Sequence, residues 1–218
     1  MSKRMPLHEQ GERDEEESAH TVPTHGHSAR GDARRQNLVR AATALIAERG
    51  FEGLRTREVA ARVGVNIATL HYYFATKEAL VSGVADYISD QFRTTHAPQV
   101  YTGAGTPLER LRQEFADVRY YHTERLAMWV AVQELTQHAE RDPAIARIMQ
   151  RLEHHWYASV DRILIEGVAA GVFRADLDIG AATHILLAFA RGSRAIIADL
   201  YAFDRACAEL ERWLQDAP

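Results

Sequence analysis

The chain has a single cysteine, Cys207. It cannot form an internal disulfide, which fits a reducing cytoplasm. A catalytic thiol needs a positioned base, and Cys207 lies in a helix-patterned segment near the C-terminus, so it reads as a structural thiol. No apolar run approaches the roughly 18 residues that span a bilayer. No apolar segment follows the opening Met-Ser-Lys-Arg either, so neither a membrane span nor a secretory signal is expected. Alternating apolar and polar segments are scarce and no hairpin signal stands out, which argues against a sheet. The sequence also lacks a Gly-rich phosphate loop, a nucleophile elbow and a clustered Cys/His ligand set. A helical enzyme, for instance a hydrolase using His122 or Glu134, is therefore the weakest reading, and no cofactor or metal is expected.

What is present is helical period. The 218 residues suffice for one or two domains with a substantial core. Residues 1–33 hold the run "RDEEES", scattered His, Gly and Pro, and little that could build a core, so they read as a disordered tail. His25-Gly26-His27, with His20 nearby, has chelating chemistry but no fixed geometry to use it. From Arg34 onward the apolar spacing is that of helices. Leu38, Ala42, Leu45 and Ile46 share a stripe that Gly50 ends. Short helices are expected at about 56–63 and 67–73, with Thr56 and Asn66 as their caps. Thr76 caps a fourth helix whose buried face carries Leu80, Val84 and Ile88. Thr106-Pro107 and Asp142-Pro143 each read as a cap followed by proline in the first turn. Helices are expected after both, with another at about 123–140. Two more, about 179–199 and 203–215, follow the break at Gly171. The fold is expected to be all-α.

Charge is distributed unevenly along this chain. Residues 34–80 carry 8 basic and 4 acidic side chains, net +4, inside a protein whose net charge is −4. A basic module in an acidic protein is the footprint of a nucleic-acid-binding segment. The same region contains two short helices joined by a Gly turn, the pattern of a helix-turn-helix whose second helix enters the major groove. The pattern alone also fits a helical hairpin in a bundle. The run His71-Tyr72-Tyr73-Phe74 bears on this choice. Successive side chains on a helix diverge by about 100°, so four rings in a row cannot all enter one core.

The residues from Leu38 to Leu80, "LVRAATALIAERGFEGLRTREVAARVGVNIATLHYYFATKEAL", resemble the DNA-binding domain of the tetracycline-repressor family of bacterial transcriptional regulators. The likeness includes Phe51 after Gly50, "REVAARVGV", Thr69-Leu70, Tyr73-Phe74 and Lys77-Glu78-Ala79-Leu80. It implies a three-helix domain at 34–80 in which Leu70 and Phe74 face inward. Tyr73 and Lys77 then stand at phosphate-contacting positions, and Thr69, His71 and Tyr72 face bases or phosphates. Asn66 caps the recognition helix and offers its amide to phosphate. The sequence departs from the family pattern in three places. Ile67 stands where Lys is frequent, and either packs on a thymine methyl or is buried against the second helix. His71 and Tyr72 reverse a more usual order. Arg55 replaces a Thr or Ser, leaving Arg55 or Arg57 to reach phosphate.

By the same resemblance, residues 81–218 form a larger helical domain for dimerisation and small-molecule binding. The likeness here is one of layout, with "GVFRADLD" before a long helix. Ile185, Phe189, Ile196, Phe203, Leu210 and Trp213 are candidates for a homodimer interface, though a protomer core could absorb them. Tyr121, His122, Trp129, Gln133 and Trp156 are candidates for an effector pocket. Glu134 and His138 have metal-ligand spacing but read as a surface pair. The expected function is a ligand-responsive repressor acting on double-stranded DNA with a palindromic operator. The alternative is an all-α interaction module without DNA binding.

Overall fold

In the computed structural model, the structure describes residues 25–96 and 103–215, with side chains from residue 30. The described residues form nine α-helices and no strand. The N-terminal group is α1 (His25–Arg49), α2 (Thr56–Val63), α3 (Ile67–Tyr73) and α4 (Lys77–Gln91). The remainder is α5 (Pro107–Thr123), α6 (Leu126–Ala139), α7 (Pro143–Ala169), α8 (Ile179–Gly192) and α9 (Leu200–Gln215).

Local chemistry fixes most of these boundaries. Asn66 accepts from the Thr69 amide, Thr76 from Ala79, and Asp142 from Ala144 and Ile145. Thr106 and Glu109 make a reciprocal capping box, with Pro107 next. Gly64 ends α2 in the left-handed conformation, φ 71°, and its neighbour's amide, that of Val65, returns to the Ala60 carbonyl at 3.0 Å. Thr56 does not cap α2 as expected. The N-cap is Arg55, which makes no side-chain capping bond, because a guanidinium has no acceptor for the free amides.

Three further expectations on organisation need correction. α1 begins at His25, inside the segment expected to be a disordered tail. Residues 1–24, and the side chains of His25 and His27, lie outside the described residues. A boundary at residue 80 would fall within α4, which packs on both α1 and α7. And α8 stops at Gly192, followed by a 3-10 turn at Ser193–Ala195.

The core has two parts. One cluster joins α1–α4 with Tyr121, most of the apolar face of α6 and the first half of α7. The other joins α5, the second half of α7, α8 and α9. The helix-turn-helix therefore shares its hydrophobic core with the body instead of being tethered to it. Trp156 packs against both clusters and marks their seam.

Candidate nucleic-acid interface and effector cavity

α3 is held by two residues. Leu70 is fully buried and Phe74, just beyond the helix end, nearly so. Gly83 makes room for the Phe74 ring, because a Cβ there would lie 2.7 Å from Cε1. With those two facing inward, the other ring residues take the divergent directions the sequence implied. His71 is exposed. Tyr72, 83% exposed, is the most exposed large hydrophobic residue among those described. Its one ring partner among the described residues is Tyr73, edge-to-face at 5.1 Å. Tyr73 is half-buried, and its hydroxyl reaches the first turns of α1, close to Gly31. Ile67 is half-buried and packs on the core, so its aliphatic surface is divided between the interior and the outer face.

Asn66 and Thr69 form a closed unit. The Asn66 side-chain oxygen accepts from the Thr69 amide at 2.7 Å and the Thr69 hydroxyl at 2.9 Å. The Asn66 amide nitrogen is left to donate outward. Thr69 has committed its proton, so it can accept from a base amino group but not donate to phosphate.

Pairing sorts the basic residues. Arg49 is bonded to Glu58 at 2.8 Å, and Arg62 grips Glu48 through two nitrogens. Both are surface pairs that hold α1 to α2. Arg55 and Arg57 are exposed and make no ion pair among the described residues, so they remain available to phosphate. Arg34 and Arg35 on α1 are exposed as well, on the helix that the Tyr73 hydroxyl approaches. The sequence reading gave them no role. The clue was the adjacent basic pair itself, just before the apolar stripe that begins at Leu38.

Lys77 is engaged within the protein itself. Its Nζ donates to the Phe51 carbonyl at 3.2 Å and sits 3.9 Å from the Phe51 ring centroid. Desolvation holds its pKa below the usual lysine value. On the far face of Phe51 lies His138 of α6, stacked at 3.7 Å, with Glu52 and Asp142 beside it. His138 and Glu134, which meets the head at Gly50, are thus joint residues. Among the described residues, no group of three or more His, Cys, Asp or Glu could hold a metal ion.

The body contains a cavity of about 60 Å³, partly open to solvent, between α4, α5, α6, α7 and α8. Tyr121, Trp129, Gln133 and Trp156, the sequence's effector-pocket candidates, line it. His122 does not. It is buried behind Trp129, its ring 4.4 Å from the indole, with Nε2 facing the Ala190 carbonyl and Ser193. Burial holds its pKa down, so it is a neutral core histidine. Among the lining residues the sequence reading missed are three acids, Glu114, Asp117 and Glu153. Glu114 accepts from the Trp156 indole at 3.2 Å, and Asp117 from the Gln113 amide at 2.9 Å. Burial pushes Glu114 up to about 7 and Asp117 up to about 6. Glu153 pairs with Arg191 at 3.0 Å.

The interface candidates divide. Ile185, 45% exposed, stands on the outer face of α8 with His184 and Ala188, and Ile165, Leu200 and Tyr201 are other exposed apolar residues of the body. Phe203 is 1% exposed and stacked on Phe189. It belongs to the protomer core, which corrects its assignment to an interface. Phe189, Ile196, Leu210 and Trp213 are half-buried against the same core. Cys207 is buried, and desolvation pushes its thiol up to about 12, which leaves it inert.

Known proteins share these features. Residues 38–84 match the sequence model of the bacterial regulatory proteins of the tetR family. The transcriptional repressor KstR2 of Mycolicibacterium smegmatis is 30% identical over 148 residues, 67% of this chain and 71% of that protein. The transcriptional repressor NicS of Pseudomonas putida is 28% identical over 164 residues, 73% of each. A TetR regulator from Chloroflexus aurantiacus has the same fold, with a TM-score of 0.72 at 18% identity, covering 86% of this chain and 97% of that one. The relatives are regulators, which argues against the helical-enzyme reading. The chain is a DNA-binding transcriptional regulator and belongs to the tetR family.

Proposed function

We propose that this regulator binds a palindromic operator as a homodimer and lets go when a small molecule fills the cavity. The N-terminal helices through the start of α4 carry DNA contact, and the rest of the chain carries effector binding and dimerisation. On this reading Tyr73, Lys77, Arg55, Arg57 and the Asn66 amide position the head on phosphates. Thr69, His71, Tyr72 and the outer part of Ile67 face base edges. One observation supports the effector role above others: α6 belongs to both functions. Trp129, Val132, Gln133 and Thr136 line the cavity, and His138, at the end of the same helix, stacks on Phe51 against Lys77. A shift of α6 on filling the cavity moves the seat of a phosphate-contacting lysine. An effector acts this way only by binding the released state more tightly than the DNA-bound one.

Fluorescence anisotropy on DNA upstream of the protein's own gene, against scrambled DNA and across salt concentrations, tests the DNA-binding reading. Lys77→Ala should weaken binding to all sequences alike and flatten the salt slope by about one unit. An unchanged slope removes Lys77 from the interface.

The outer face of α8 is the dimer surface in this reading. Ile185→Asp places a charge on the exposed outer face of α8 without touching the core. It should convert the dimer to monomer in sedimentation and lower operator affinity by about tenfold or more. A dimer that persists at unchanged strength places the interface elsewhere.

A further inference from the structure

The cavity has an unbalanced charge. Four groups of opposite sign line it: the carboxylates of Glu114, Asp117 and Glu153, and the guanidinium of Arg191. Arg191 is committed to Glu153 at 3.0 Å. Glu114 and Asp117, one turn apart on α5, make no ion pair among the described residues, and the groups that donate to them, the Trp156 indole and the Gln113 amide, are neutral. Asp117 is only 7% exposed, and Glu114 opens into the cavity. Two acids with no counter-ion among the described residues, inside walls that are mainly aliphatic and aromatic, are costly when ionised. Their burial-raised pKa values express that cost. The surrounding rings favour the same missing partner. Trp129 and Trp156 meet edge-to-face at 6.3 Å; the Arg191 guanidinium already lies 5.8 Å from the Trp156 ring centroid, so the Trp129 indole, with Phe92 and Tyr121 alongside, is the ring surface left to attract further positive charge.

A metal ion is a poor candidate for that partner. Among the described residues, no group of three or more His, Cys, Asp or Glu could hold one. A ligand with one diffuse charge and apolar bulk satisfies both the acids and the rings. We propose that the cavity takes an organic cation, an ammonium carried on an apolar or aromatic body, with its charge at Glu114 and Asp117 and its body against Trp129 and Trp156. This rests on the reading of the cavity as the effector site, and it names the class of effector.

The test exploits the fact that two of the three tryptophans line the cavity. Phenyltrimethylammonium, its uncharged isostere tert-butylbenzene, and phenylacetate are titrated into the full-length protein without DNA, and tryptophan fluorescence is followed. The cation should bind about tenfold or more tightly than the isostere, and phenylacetate most weakly. Glu114→Gln and Asp117→Asn keep shape and hydrogen bonding, and each should lower cation affinity by roughly tenfold while sparing the isostere. The permanent charge of the probe means any pH dependence comes from the protein. Affinity should rise with pH as Glu114 and Asp117 ionise, with Glu153 and Arg191 the other charged groups facing the ligand. Equal binding of cation and isostere overturns the inference, as does tighter binding of phenylacetate or no fluorescence response to the cation at millimolar concentration. Operator release is read separately by anisotropy. Cation binding without release supports the ligand class and overturns the effector role of the cavity.

Discussion

Phe74→Ala is expected to destabilise the protein by about 3–5 kcal/mol and to abolish operator binding. The ring is 2% exposed and fills the space that Gly83 leaves in α4, with the Arg35 guanidinium 5.1 Å from its centroid. Its backbone amide also closes α3 by bonding the Leu70 carbonyl at 2.8 Å. α3 has only seven residues, too few to hold helical structure without packing. Its direction on the head depends on Leu70 and Phe74, and alanine removes one anchor and leaves a void beneath α4. Chemical denaturation and anisotropy on the operator measure the two losses. Tyr72→Ala is the control, since its exposed ring contributes nothing to the core and its loss should leave folding unchanged. A stability loss for Phe74→Ala under about 1 kcal/mol would show that α3 is held by something other than this ring.

That anchoring was legible in the sequence through the family resemblance, supported by signals that are local. The spacing of Leu70 and Phe74, and the caps at Asn66, Thr76, Thr106 and Asp142, can be read from a few neighbouring residues. The divergence of the ring run from Leu70 onward followed from helical geometry alone. What was not legible depended on distant partners. Residues 30–33 have no apolar stripe and read as tail, yet they continue α1, because extending a packed helix is far easier than nucleating one. Lys77 read as a free phosphate contact, and the carbonyl and ring of Phe51 that hold it come from a segment 26 positions earlier. Tyr121 and His122 are neighbours in sequence but point apart, so one lines the cavity and the other is buried behind Trp129. Glu114 and Asp117 look like any solvated helix face. Only the packing of α6, α7 and α8 around α5 turns that face toward a cavity.

The same enclosure gives the second large effect, a stability that falls as pH rises. Glu114 is pushed up to about 7 from an ordinary 4.5, and Asp117 up to about 6 from 3.8, desolvation being the main cause in each. The folded protein therefore holds these protons more tightly than the unfolded chain. Between about pH 4 and pH 7 the folded state binds more protons, so the slope of unfolding free energy with pH contributed by these two groups is negative. Stability present below the unfolded values is lost as pH rises through the folded ones. Glu114→Gln keeps the acceptor for the Trp156 indole but cannot ionise. It should stabilise the protein by roughly 1–3 kcal/mol at about pH 8 and by little at about pH 5, the lower figure reflecting the surface Glu114 keeps toward the cavity. Urea midpoints of wild type and variant at both pH values give the double difference, in which the protein's other titrating groups cancel. An equal effect at both values would mean that Glu114 ionises as freely in the fold as in water. If the difference appears, the apo cavity at neutral pH holds charge that the fold does not balance. A cation entering it would recover that free energy only in the conformation that keeps both acids enclosed. That is the differential affinity a ligand needs in order to shift the population away from DNA.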